Sequence, residues 1–152
     1  GEIYGLLGPN GAGKTTTLRI LGTILRPSAG TATVNGFNVC QDPVSVKRSI
    51  GFLSATTGLY PRLTPLETLA YFGKLQGLEK GILKARVDAV VDMLEIAPFA
   101  NVSCEKLSSG MKQRVTTARA IIHDPAALIL DEPTSGLDVL AAATTTAIPH
   151  QP

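Results

Sequence analysis

The sequence predicts an α/β fold with a central, mostly parallel sheet and a helical insert, and three features predict it. A short apolar run at residues 2–7 leads into a glycine-rich loop and then into a helical stripe over residues 14–25. Towards the other end, residues 127–132 are an apolar run closed by two carboxylates, Asp131 and Glu132. Between them, apolar residues recur at helical intervals over 64–75 and again over 81–94. A buried strand that delivers an acid at its C-terminal tip suits a parallel sheet, because ligands gather at that edge.

Composition narrows the possibilities. The 152 residues suffice for one domain with a sizeable core, and 44% hydrophobic against 17% charged residues describes a globular chain. A net charge of +2 is too small to argue for nucleic acid or an anionic membrane as partner. Cys40 and Cys104 lie far apart, without the spacing of a metal or redox pair. No stretch is long and apolar enough to span a bilayer and no signal peptide precedes Gly1, so a membrane role is expected only through a partner chain.

The elements follow in order. After the first helix, residues 27–30 read as a turn. Residues 31–34 read as a strand running into Asn35-Gly36, a dipeptide that favours a hairpin turn. Residues 50–53 are a further short strand. Thr64 is placed as an N-cap and Pro65 as the first helical residue ahead of Leu66, Leu69, Tyr71, Phe72 and Leu75. A second helix over 81–94 turns Leu83, Val87, Val90, Val91 and Leu94 inward, and a third covers 109–122. The apolar residues of these helices are expected in the core.

The chemistry begins at Gly8, Pro9, Asn10, Gly11, Ala12, Gly13, Lys14, Thr15 and Thr16, which fit the pattern Gly-x-x-x-x-Gly-Lys-Ser/Thr. A loop of small residues lets successive backbone N–H groups converge on phosphate, and the following helix start adds unpaired N–H groups and a positive dipole end. Gly8, Gly11 and Gly13 are expected to permit the backbone angles and close approach this requires. Lys14 would reach the β- and γ-phosphates and the Thr15 hydroxyl would ligate Mg²⁺. Asp131, at the tip of its strand, would hold the same ion, and Glu132 would polarise the attacking water as general base.

Leu107-Ser108-Ser109-Gly110-Met111 precedes a helix; read alone it is a good helix start, and such a start is also able to bind an anion such as a γ-phosphate. Together with the glycine loop, the acidic strand tip and the following Pro133-Thr134-Ser135-Gly136-Leu137-Asp138, it makes four motifs in one order. In that order they resemble the nucleotide-binding domain of ATP-binding cassette (ABC) transporters, a P-loop NTPase fold, from Gly1 to about Leu140. The resemblance implies that residues 8–16 are the Walker A loop and Asp131 closes Walker B, with Glu132 the catalytic carboxylate. It implies that Ser108, Ser109, Gly110 and Met111 are the signature motif, and Ser135, Gly136, Leu137 and Asp138 the D-loop. It further implies Mg²⁺ with ATP as substrate, and a second cassette joined head-to-tail so that each ATP is sandwiched between Walker A and the partner's signature. A transmembrane permease subunit and a position at the cytoplasmic face of the cell membrane follow from the same resemblance. The stretch from Ile50 to Pro65 looks like the bacterial sodium-exporting, NatA-type branch, so sodium ions or a drug-like compound are the expected cargo.

The sequence also departs from the family pattern. Ser109 replaces the first signature glycine, and Met111 stands in place of glutamine. Ala55 occupies the place of a glutamine that contacts metal or water, a role alanine cannot fill. Neither His123 nor His150 suits the switch histidine, and Tyr4 is not the adenine-stacking aromatic. Residues 1–140 are therefore read as a partial cassette with a helical subdomain at about 61–101. Residues 141–152 are read as a low-complexity, non-native or disordered tail, and both ends as truncations. Two rival expectations stand beside the transporter ATPase. One is a nucleotide-binding but catalytically incompetent fragment; the other is a soluble ABC-type ATPase, which the absence of coiled coils or a tandem cassette disfavours.

Overall fold

A computed structural model describes residues 2–54 and 58–131. Helix α1 (Lys14–Leu21) is followed by a hairpin of β1 (Thr33–Val34) and β2 (Phe37–Asn38), helix α2 (Pro43–Ser49) and strand β3 (Ile50–Ser54). Helices α3 (Pro65–Leu75), α4 (Lys80–Met93) and α5 (Ser109–Ile121) come next, and β4 (Ala127–Asp131) closes the described chain. Strands β3 and β4 pair in parallel from Ile50 opposite Ala127 to Ser54 opposite Asp131. The three long helices form the crossover between them, as a parallel pair requires.

Local chemistry explains the elements. Asn35 and Gly36 both take positive φ, 49° and 83°, the conformation a two-residue hairpin needs, and they join Val34 to Phe37 as the dipeptide predicts. At α3 the Thr64 hydroxyl accepts from the Glu67 N–H at 3.2 Å, while the Glu67 carboxylate accepts from the Thr64 N–H at 2.8 Å. That reciprocal box, with Pro65 at the first turn, starts the helix where the sequence places it. Helix α2 went unread, although the Asp42 carboxylate caps it by accepting from the Ser45 N–H at 3.1 Å. Two arginines satisfy helix ends from neighbouring helices. Arg86 of α4 donates to the carbonyls of Ile121 and Ile122 at 3.0 and 3.1 Å, and Arg114 of α5 donates to the Glu95 carboxylate at 2.8 Å just beyond α4.

Two corrections to the sequence reading arise here. Residues 2–7 form no strand, and Ile3, Tyr4, Leu6 and Leu7 are exposed. An apolar run becomes a strand only where a neighbour takes up its N–H and C=O groups, and among the described residues β3 and β4 pair only with each other. Helix α1 ends at Leu21 instead of running to residue 25, because Thr23 turns into the left-handed region at φ 55°. Gly22, at that turn, lies so close to Phe52 that a Cβ would approach the ring to 2.7 Å. Ile24 and Leu25, counted as helical from their spacing, are exposed beyond it.

The main core lies between α3, α4 and α5, where Leu69, Val90, Ile96, Val115 and Ile122 are all completely buried. A smaller cluster of Val39, Val46 and Ile50 joins the hairpin and α2 to β3. Helix α5 rests directly on β3: a Cβ at Gly51 would stand 2.4 Å from the Ala120 carbonyl oxygen and 2.5 Å from Leu128. A backbone atom cannot yield as a side chain can, so Gly51→Ala is expected to cost about 2–3 kcal/mol of stability in urea unfolding. A loss near zero would contradict this packing.

His123 follows α5 and donates from Nε2 to the Ile50 carbonyl at 3.0 Å, while its buried Nδ1 has no hydrogen-bond partner among the described residues. Burial holds this imidazole below its ordinary range, with Arg86 acting the same way and the Ile50 carbonyl and Asp124 opposing. The unfolded chain therefore binds the proton more readily than the folded one. The histidine's contribution is present above about pH 6.5 and is lost as pH falls from there through the depressed folded value. Urea midpoints at pH 7.5 and 5.5 should differ in the native protein, and His123→Asn should remove that part of the difference.

Candidate functional site

The glycine loop folds as a turn that leads into α1. Gly11 and Gly13 take φ of 81° and 87°, the left-handed region where a side chain is strained. Gly8 has no such angle, and a Cβ there would meet Ala12 at an ordinary 3.4 Å, so two of the three expected glycines are required by geometry. The Ala12 N–H donates to the Pro9 carbonyl at 3.2 Å and closes the turn. Gly13 is the N-cap of α1 and contributes no side-chain cap, and the first helical bond runs from the Thr17 N–H to Gly13. The N–H groups of Lys14, Thr15 and Thr16 therefore have no partner within the helix, and they sit at its positive dipole end.

Lys14 reaches back over the loop, donating to the carbonyls of Gly8 and Pro9 at 2.9 Å each. An ammonium has three protons, so one remains for a phosphate oxygen above the loop. The lysine is thus held across the cradle by the loop it serves.

Parallel pairing carries Asp131 to the C-terminal tip of β4, opposite Ser54. There the Thr15 hydroxyl donates to Asp131 Oδ1 at 2.9 Å, joining residues 116 apart in sequence. Asp131 is only 5% exposed, and a carboxylate so buried needs compensation. Arg19, one helical turn beyond Thr15 on the same face of α1, places Nε 3.9 Å from Asp131 Oδ2. The sequence reading did not single out Arg19; its spacing of four from Thr15 was the available signal.

Thr15 and Asp131 suit a magnesium ion. Both are hard oxygen donors, and by donating its proton to Asp131 the threonine keeps its oxygen lone pairs for a metal. Among the described residues no three His, Cys, Asp or Glu side chains cluster as a metal cage. Mg²⁺ characteristically takes one or two protein oxygens and completes its shell with water and phosphate.

Ser108 caps α5, its hydroxyl accepting from the Met111 N–H at 3.3 Å. Ser109 and Gly110 are exposed, whereas Met111 packs partly against the helical core. The structure joins Thr15 to Asp131, with Lys14 the residue before Thr15; no hydrogen bond or ion pair among the described residues joins Ser108–Met111 to the loop of residues 8–16. Glu132 and Ser135, Gly136, Leu137 and Asp138 lie outside the described residues, as does Ala55.

A second concavity of about 610 Å³ opens between β3, α3 and α5, lined by Phe52, Tyr60, Phe72, Lys47, Arg119 and His123 among others. The Arg119 guanidinium stacks 5.0 Å from the centre of the Phe72 ring and donates to the Gly58 carbonyl at 3.0 Å. Tyr60 is exposed, and so are Tyr71 and Leu75 of α3, which the sequence places in the core: Tyr71 packs on the Tyr60 and Phe72 rings at the surface instead.

Known proteins are similar to this chain in sequence and in fold. A family described as ABC transporter matches residues 1–135. The ABC transporter ATP-binding protein NatA of Bacillus subtilis (strain 168) is 46% identical over 143 residues, covering 93% of this chain and 58% of its own length. The linearmycin resistance ATP-binding protein LnrL of the same strain is 39% identical over 138 residues, covering 91% of this chain and 44% of its own. A solved ATP-binding subunit of an ABC transporter superposes with a TM-score of 0.78 at 28% identity, over 90% of this chain and 57% of that one. A dimeric post-hydrolysis state of the ATP-binding cassette MJ0796, bound to ADP and Pi, gives 0.73 at 28% identity, over 89% and 62%. The chain thus spans about half the length of the curated relatives it matches.

Proposed function

The chain belongs to the ABC transporter family, and on that premise we propose that residues 8–16 with Asp131 and Glu132 form the ATP-hydrolysing half-site of a transport-coupled subunit. The observation that carries this reading is the convergence of Thr15 on Asp131 beside a loop whose lysine still has a proton to give. The loop amides and Lys14 bind the β- and γ-phosphates and stabilise charge developing on them. When bound through Thr15 and Asp131, Mg²⁺ neutralises phosphate charge. Glu132 orients a water and accepts its proton, giving ADP and phosphate.

Ser108, Ser109, Gly110 and Met111 serve the ATP held by a second cassette, with Ser135–Asp138 at the junction. The dimeric ADP- and Pi-bound relative supports this reading. We read residues 1–140 as cassette, with the helical subdomain at about 61–101. No helix among the described residues is long and apolar enough to cross a membrane. We assign the membrane step to a separate permease at the cytoplasmic face. Relatives named for Nod factor export and for linearmycin and daunorubicin resistance support export of a drug-like compound, and the resemblance of the Ile50–Pro65 stretch keeps sodium ions as the other cargo.

A second reading, nucleotide binding without turnover, has one observation in its favour: residues 2–7, which lead into the loop, are exposed and unpaired. Phosphate release from Mg²⁺-ATP separates the two. Steady turnover supports the ATPase, and saturable binding with no phosphate release supports the second reading.

A further inference from the structure

Thr15 and Arg19 are four residues apart on α1 and grip opposite oxygens of one buried carboxylate, Oδ1 at 2.9 Å and Oδ2 at 3.9 Å. The two contacts differ in kind. Thr15 can keep its bond to Asp131 while its lone pairs face a metal, since a hydroxyl donates and accepts at once. A guanidinium only donates and carries a full positive charge, so it opposes a divalent cation drawn to the same carboxylate. The Arg19 side chain is 36% exposed and can swing into solvent, whereas the Asp131 side chain, at 6%, cannot.

We propose that Arg19 is a place-holding counter-ion for Asp131, neutralising the buried carboxylate in the metal-free protein and yielding it when a divalent cation arrives. Arg19 acts through Asp131 and is a positioning residue; the inference rests on the reading of Thr15 and Asp131 as the metal site. By linkage, whatever stabilises the metal-free state weakens metal binding by the same factor. The arginine therefore keeps the site from filling with metal before nucleotide phosphates add their own ligands and charge.

Mn²⁺ alone, titrated into nucleotide-free protein and followed by the electron paramagnetic resonance of the free ion, tests this. Arg19→Met is expected to bind Mn²⁺ roughly fivefold tighter or more, the scale of an ordinary coupling between two ligands. Arg19→Lys, which keeps the charge, is expected to stay within about twofold of the native protein. In Asp131→Asn, which should bind Mn²⁺ more weakly, adding Arg19→Met is expected to have little further effect. Should Arg19→Met fail to fold, Arg19→Gln removes the charge, keeps a donor and carries the same prediction. Equal or weaker Mn²⁺ binding by Arg19→Met, with binding lost in Asp131→Asn, overturns the proposal and leaves the metal site standing. Unchanged binding in Asp131→Asn removes the metal reading and the proposal with it.

Discussion

Replacing Lys14 by alanine is expected to weaken ATP binding by roughly a hundredfold or more, while the helical core stays folded. A charge-assisted hydrogen bond to phosphate is worth about 1.5–3 kcal/mol, and the lysine adds charge neutralisation near the γ-phosphate. Each 1.4 kcal/mol is tenfold in affinity. Lys14 also ties the loop together through the Gly8 and Pro9 carbonyls, so the substitution loosens the cradle as well as removing a ligand. The core of Leu69, Val90 and Val115 is built by α3, α4 and α5, to which Lys14 contributes nothing. Fluorescent-nucleotide titration alongside circular dichroism separates the effects: lost binding with native helicity is the expected pair.

Glu132→Gln should act on the other half of the reaction. Glutamine keeps the size and hydrogen-bonding capacity of glutamate but cannot accept the proton of the attacking water. General-base catalysis is commonly worth about 10²–10⁴ in rate, so phosphate release should fall by that order. ATP affinity should stay within about threefold, because the phosphates are held by Lys14 and the loop amides. Single-turnover phosphate release with a parallel binding titration checks both halves. Equal losses of binding and rate would assign Glu132 to substrate binding instead of proton transfer.

The parts legible in the sequence are those in which a few neighbouring residues determine the outcome. Thr64, Pro65 and Glu67 fix the start of α3 within one turn of chain, and Asn35-Gly36 fixes a hairpin within two residues. The glycine loop was readable for the same reason, although geometry assigns the left-handed angles to Gly11 and Gly13 and not to Gly8. Helix α2 escaped because seven residues carry too little periodicity, even with Asp42 and Pro43 marking its start. Residues 2–7 look like a buried strand by composition, but burial depends on a neighbouring strand that composition does not reveal.

The site divides along the same line. The residue types in the loop and at the tip of β4 announce their chemistry, whereas the bond between Thr15 and Asp131 is made across 116 residues by the fold. Arg19 is hard to single out for that reason: its spacing of four puts it on the face of Thr15, but on α1 alone it is one more basic residue near a helix end. Only the arrival of β4 gives it a carboxylate to face.

The central claim, that the glycine loop and Asp131 make one Mg²⁺-nucleotide site, is tested most directly by calorimetric titration of ATP with Mg²⁺ and again in EDTA. The native protein should bind ATP more tightly with the metal, and Asp131→Asn should abolish most of that difference while metal-free binding persists. ATP binding that ignores both Mg²⁺ and Asp131, or no ATP binding at all, would contradict the account.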